Sequence, residues 1–230
     1  MLGPRVPSDP EIIVSLAIFD LDNTLLAGDS DYSWGQYLVE QRIVDGEHYE
    51  RENRRYYEAY KAGTLDIHEF LAFSLRPLAV VDRDRLEAHR RRFMQEKILP
   101  MITPAARELV EKHRRAGDRL VIITATNSFV TRPIAEVFGI PHLIATEPEV
   151  KDGRFTGGVD GVPCFREGKV RRLQAWMAQH GETLAGSWFY SDSHNDLPLL
   201  TRVDHPVAVN PDPELAEVAR SRDWPVIRLH

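Results

Sequence analysis

The chain is 230 residues long, 43% hydrophobic and 28% charged, with a formal charge of −6 and one cysteine. That length holds one large domain or a core with a smaller companion, and the composition is that of a globular protein rather than a disordered tail. The acidic balance argues against nucleic acid and anionic lipid as partners. Cys164 has no partner for an internal disulfide, which suits the cytoplasm, and the apolar run Ile12–Phe19 is too short to cross a membrane or serve as a signal peptide.

Residues 1–11, with Pro4, Pro7 and Pro10, read as a loose leader. The β-branched run from Ile12 to Phe19 follows, with the pattern of a strand buried on both faces. From about residue 30 the period becomes helical: Trp34/Leu38, the Tyr56-Tyr57-Tyr60 group, Ile67/Phe70/Leu71 behind an Asp66-x-x-Glu69 capping box, then Leu86/Phe93/Met94. Arg83, Arg85, Arg90, Arg91 and Arg92 are interleaved with acids and read as a solvated helix face. Strands and helices alternate thereafter. Thr103-Pro104 opens a helix that Gly117 ends, and strands follow at Leu120–Ile123 and His142–Ala145. A hairpin turns at Asp152-Gly153, and Val170, Leu173, Trp176 and Met177 line one face of a helix. Strands at Ser187–Tyr190 and Val207–Val209 precede a helix capped by Asp212-Pro213. This alternation predicts an α/β fold, a doubly wound parallel sheet, with a core at residues 12–28 and 100–230. Residues 29–99 form an all-helical cap inserted after the first strand.

Four groups of polar residues fall where a strand ends or a helix begins. Asp20 and Asp22 follow the first strand, and residues two apart in a strand share a face. Thr124 and Ala125 end the second, offering a hydroxyl and a backbone N–H to an anion. Lys169 opens a helix against the macrodipole, which an anionic neighbour would explain. Asp192-x-x-x-Asp196, with Asn195 between, follows another apolar strand; carboxylates there suit Mg²⁺, which takes few protein ligands and keeps waters. Singly, each has a plain structural reading: an acidic turn, a strand threonine, a surface lysine, an N-cap. His194, inside the last group, reads as a variable loop residue rather than a ligand.

In this order the four groups resemble the haloacid dehalogenase superfamily, over residues 14–228. The helical insert resembles the lid of its phosphoserine-phosphatase-like branch. Tyr190-Ser191-Asp192-Ser193-x-Asn195-Asp196-Leu197-Pro198-Leu199, followed by Asn210-Pro211-Asp212, is similar to a bacterial group that includes histidinol-phosphate phosphatases. Many relatives have Gly-Asp where this chain has Ser191-Asp192.

The resemblance implies a Rossmann-like core and a phosphomonoesterase with Asp20 as nucleophile and Asp22 as acid and base. Thr124, the Ala125 N–H, Lys169 and Asn195 would hold phosphate. Mg²⁺ would lie on Asp20, Asp192 and the Asp22 carbonyl, with Asp196 behind them. Asp22 favours a phosphate ester over a haloacid, because an alcohol must be protonated to leave. The implied partner is a small phosphate ester, with no nucleic acid and no membrane; nothing in the sequence sets an oligomeric state. Histidinol phosphate leads, with phosphoserine, phosphoethanolamine and a mutase reaction as alternatives. Asp29, Ser30 and Asp31 would recognise an amine and Trp34 would wall an imidazole. A receiver-like signalling module or a non-catalytic phosphate-binding module is the rival class. A receiver does not carry a helical insert between its acids and its hydroxyl.

Overall fold

The structure is a computed structural model that describes residues 15–230; the expected leader and the start of the first strand, residues 12–14, lie outside the described residues. β1 (Leu16–Phe19) is apolar on both faces, and its four residues are buried. Such a strand belongs in the middle of a covered sheet, and it stands at the centre of seven. The others are β2 (Arg119–Asn127), β3 (His142–Lys151), β4 (Arg154–Asp160), β5 (Trp188–Ser191), β6 (His205–Val209) and β7 (Val226–Ile227), in the order β4-β3-β2-β1-β5-β6-β7. All pair in parallel except β3 with β4. The chain therefore builds one side of the sheet from β1 and returns through β5 to build the other. The carboxyl ends of β1, β2 and β5 flank the crevice this reversal creates, where ligands bind in open α/β sheets.

Local signals act as their chemistry dictates. Thr103 Oγ1 accepts from Ala106 N at 3.1 Å at the start of α6 (Pro104–Ala116), and Gly117 ends that helix at φ 83°. Asp212 caps α10 (Pro213–Ser221) through Leu215 N at 2.7 Å. The hairpin turn has positive φ at both Asp152 (51°) and Gly153 (75°), the geometry that twists with the strands. β3 runs unbroken from the core into this hairpin, so the expected short strand and ribbon are one element. β7 was not foreseen, because two residues give no period to read.

The insert comprises α1 (Ser30–Glu40), α2 (Gly46–Lys61), α3 (Ile67–Ser74), α4 (Arg76–Val80) and α5 (Arg83–Phe93). Asp66 caps α3 as expected, accepting from the His68 and Glu69 amides. The insert shares its core with the sheet. Trp34 meets Phe93 edge-on at 5.1 Å and Phe129 at 6.0 Å, and Phe129 belongs to α7 (Ser128–Val137). The arginine face of α5 is not wholly solvated. Arg90 donates to the Phe129 carbonyl at 2.9 Å and Arg83 to that of Gly153 at 3.3 Å, so both tie the insert to the core. Among the described residues no helix is long and apolar enough to cross a membrane.

Candidate active site

Lys169 lies in the first turn of α8 (Glu167–His180), only 2% exposed, between two buried carboxylates. Its ammonium donates to Asp20 Oδ1 and to Asp196 Oδ2, each at 2.7 Å. Burial works against its charge, but Asp196 and Asp20 outweigh burial and hold the amine protonated above its ordinary range. A surface lysine is thereby excluded. Asp196 also accepts from Ser191 Oγ at 2.7 Å, so its part is to hold Lys169. The serine that departs from the relatives' glycine has a task here. Its hydroxyl fixes Asp196 and accepts the Ser193 amide at 3.2 Å.

Asp192 completes the cluster. Thr24 Oγ1 stands 3.4 Å from Asp20 Oδ2 and 3.2 Å from Asp192 Oδ1, spacing the two carboxylates. Burial raises the Asp20 carboxyl to about 7, with Lys169 opposing and Asp196 adding to the rise. Asp192 is raised well above the carboxylate range by burial and then by Asp20 and Asp196. Three buried carboxylates lie near one ammonium that bonds only Asp20 and Asp196, a deficit of positive charge that a dication would relieve. Among the described residues no three acidic, imidazole or thiol groups form a cage. Two carboxylates, a main-chain carbonyl and water are what a hard, well-hydrated ion such as Mg²⁺ accepts, and the donors present fit it.

Asp22 lines the same cavity as Asp20 but has hydrogen-bond partners of its own. β1 ends at Phe19, and past Asp22 the chain turns back through Asn23 (φ 55°), with Leu26 N bonding the Leu21 carbonyl at 3.0 Å. Asp22 accepts from Ser30 N at 2.6 Å and Thr126 Oγ1 at 2.7 Å, with Thr124 Oγ1 at 3.5 Å. Its side chain is thus engaged. Burial raises its carboxyl against those hydrogen bonds, towards a group that keeps a proton. Ser30 supports Asp22 through its amide, and its side chain is fully buried and does not line the cavity beside Asp20. Thr124 and Ala125 lie within β2, which continues to Asn127, where its register with β3 shifts. Asn195 is buried, its Nδ2 donating to the Tyr60 carbonyl and to Ser193 Oγ at 3.1 Å each. His194 is bound through Nδ1 to Asp212 at 2.7 Å, as a structural loop residue.

A cavity opens between Asp20 and the insert. Asp22, Asp29, Asp31, Thr124 and Ala125 line it together with Tyr32, Tyr56, Tyr57, Tyr60, Phe70 and Phe165. Trp34 is a correction: it is 2% exposed and stacked at 5.6 Å on Tyr37, a core residue and not a wall. Trp34→Ala should cost about 3–5 kcal/mol in urea denaturation; an unchanged midpoint would contradict this placement. The aromatic wall is the tyrosine group of α2, which sequence reading assigned only to helix packing. Thr24 and Thr126 were also missed. The sole signal for either was a hydroxyl two residues from a motif acid or hydroxyl.

A family model described as haloacid dehalogenase-like hydrolase matches residues 17–201. The chain is 48% identical to a histidinol-phosphatase of Neisseria meningitidis, over 94% of this chain and 99% of that one. A Bordetella pertussis crystal structure of unknown function superposes with a TM-score of 0.89 at 47% identity, covering 94% of this chain and 99% of the other. A phosphoserine phosphatase structure with a phospho-aspartyl intermediate analogue, 19% identical over 94% of each chain, shares the fold at a TM-score of 0.69. With the strand-end cluster built on Asp20, Lys169 and Asp192, these likenesses show that the chain belongs to the haloacid dehalogenase-like hydrolase family.

Proposed function

We propose that this protein is a phosphomonoesterase for a small metabolite with a cationic leaving group, with histidinol phosphate as the leading candidate. The observation that carries this reading is the lining of the cavity beside Asp20. It includes four carboxylates and five aromatic or phenolic rings within the insert, and no lysine, arginine or histidine. Asp29 is raised well above the carboxylate range, by burial and then by Asp22. Asp31 is raised to about 7 by the same two causes. An ammonium or imidazolium beside them would supply the missing charge, and the rings would stack on it. A carboxylate, as in phosphoserine, would find no cation in this lining. The 48%-identical relative named a histidinol-phosphatase supports the same choice.

In this reading residues 29–99 act as a cap over a core of residues 12–28 and 100–230. Asp20 attacks phosphorus, forming an oxygen–phosphorus bond as the ester oxygen departs. Asp22 gives that oxygen a proton, then takes one from the water that hydrolyses the aspartyl-phosphate. Lys169, Thr124 and the Ala125 amide hold the phosphoryl oxygens, joined by Asn195 once its Nδ2 exchanges the Ser193 hydroxyl for a phosphoryl oxygen. Asp20, Asp192 and the Asp22 carbonyl would hold Mg²⁺, which when bound would supply positive charge to the phosphoryl group. A single, buried cysteine suits the reducing cytoplasm as the place of action.

Asp29 and Asp31 give the test. Asp29→Asn keeps the cap on Tyr32 N, now at 2.8 Å, because asparagine caps equally well, yet it removes the charge. Asp29→Asn and Asp31→Asn should each lower kcat/KM for L-histidinol phosphate about 10- to 100-fold, the worth of a charge-assisted contact. p-Nitrophenyl phosphate, which is uncharged in that moiety, should change less than about twofold. In the unaltered enzyme, Asp31 ionises as pH rises through about 7. The ratio of the two kcat/KM values should therefore rise over the same range, while the amine remains protonated. Equal losses on both substrates, or a flat ratio, would refute the cationic pocket.

A further inference from the structure

The turn that leads into the lysine helix carries an arginine where the backbone favours glycine. Arg166 has φ 50° and ψ −120° and is the first central residue of a tight turn closed by Gly168 N to the Phe165 carbonyl at 2.8 Å. A Cβ is crowded at that position, which is why glycine is usual there. Strain of this kind persists where the side chain is put to use. The guanidinium reaches two acceptors on different parts of the chain. Nε donates to Asn195 Oδ1 at 2.9 Å, and Nη2 donates to the Gly63 carbonyl at 2.5 Å.

Gly63 belongs to the turn between α2 and α3, directly after the tyrosines that wall the cavity. That turn is seated closely on the core. A Cβ at Gly63, where φ is 67°, would come within 2.6 Å of His194 Nε2. The His194 ring has little room to withdraw, since Asp212 holds its Nδ1 at 2.7 Å. Asn195 contributes a second tie, through Nδ2 to the Tyr60 carbonyl at 3.1 Å. Arg166, His194 and Asn195 together make a pad on which the insert rests, and the Asn195 amide is oriented by Arg166 at Oδ1 and by the Tyr60 carbonyl and Ser193 Oγ at Nδ2.

We infer that Arg166 is a positioning residue that fastens the α2–α3 turn and aligns Asn195 in one step, coupling closure of the cavity to assembly of the phosphate site. Its guanidinium is absent from the cavity lining, so it acts through Asn195 and the insert rather than on substrate. Without it, Asn195 Oδ1 and the Gly63 carbonyl lose the donor they share, and the turn keeps the Asn195–Tyr60 bond and its packing on His194 and Phe165. The inference rests on the phosphatase reading but not on which alcohol leaves.

Arg166→Gly and Arg166→Ala separate the side chain from the backbone, because both remove the guanidinium and only glycine relieves the turn. Three measurements decide the matter: hydrolysis of p-nitrophenyl phosphate with Mg²⁺, thermal melting, and hydrogen exchange of the amides at 60–65. Gly63 and Thr64 are hydrogen-bonded there to Tyr60 and Ala59, so loosening is visible. Both variants should lose about 10-fold or more in kcat/KM, to the same extent, and exchange faster at 60–65. The glycine variant should nevertheless melt above the alanine variant. Activity that follows Tm, with glycine restoring turnover, would overturn the proposal, as would unchanged exchange in both variants. If the unaltered protein fails to hydrolyse this ester, the phosphatase reading fails, and the exchange result alone then decides whether Arg166 fastens the turn.

Discussion

Asp20→Asn is expected to lower kcat on the order of 10⁵-fold or more while leaving the protein folded and, at pH 8 without Mg²⁺, more stable than before. The two effects have one origin. An amide cannot displace an alcohol from phosphorus, so the covalent route closes. The same change removes a charge that the fold holds at a cost, since burial lifts the Asp20 carboxyl from 3.8 to about 7 despite Lys169. A carboxyl raised on folding destabilises the folded protein above its folded pKa, and the penalty vanishes below its unfolded value. The gain in Tm should therefore be largest near pH 8 and fade towards pH 4. A variant that is both inactive and less stable at pH 8 would mean that Asp20 serves the fold rather than the chemistry.

Lys169→Met should have the opposite sign on stability. Removing the ammonium leaves Asp20 and Asp196 buried without a cation, a change that costs about 3–5 kcal/mol when one partner of a buried pair is lost. The loss should be smaller at pH 6 than at pH 8, because Asp20 takes up a proton below about 7. Turnover should fall about 10²- to 10³-fold or more, as when a group that stabilises transition-state charge is removed. Adding Asp196→Asn to Lys169→Met separates the two roles. Denaturation should recover part of the stability, because one unpaired carboxylate is gone, whereas activity should not return. Recovery of activity in the double variant would show that Lys169 acts only by balancing Asp196.

The sheet and the acid cluster were legible in the sequence for a physical reason. A strand buried on both faces must be apolar, so Asp20 and Asp192 stand out at the points where β1 and β5 end. Lysine in a first helical turn likewise signals an anion, and Lys169 meets two. The cavity wall was not legible. Tyr56, Tyr57 and Tyr60 have the same spacing whether they face a core or a ligand, and only the packing of α2 against Phe165 and Ala125 decides. Trp34 shows the reverse error, because proximity to Asp29 and Asp31 in sequence says nothing about which side of α1 an indole takes. Asp20 and Asp22 line one cavity, but their separate hydrogen-bond partners were not legible, because β1 ends at Phe19 and a strand period says nothing of the turn that follows. Arg166 was invisible, since no residue pattern announces an arginine in a turn suited to glycine.

Trapping the covalent enzyme tests the central claim most directly. The enzyme, turning over a phosphomonoester with Mg²⁺, is quenched in acid and reduced with borohydride, which converts an aspartyl-phosphate to homoserine, and the peptides are sequenced by mass spectrometry. Asp20 should be converted and Asp22, Asp192 and Asp196 should not. An unmodified Asp20 in an enzyme that is demonstrably turning over, or modification at another residue, would contradict an attack on phosphorus by the carboxylate at the end of β1.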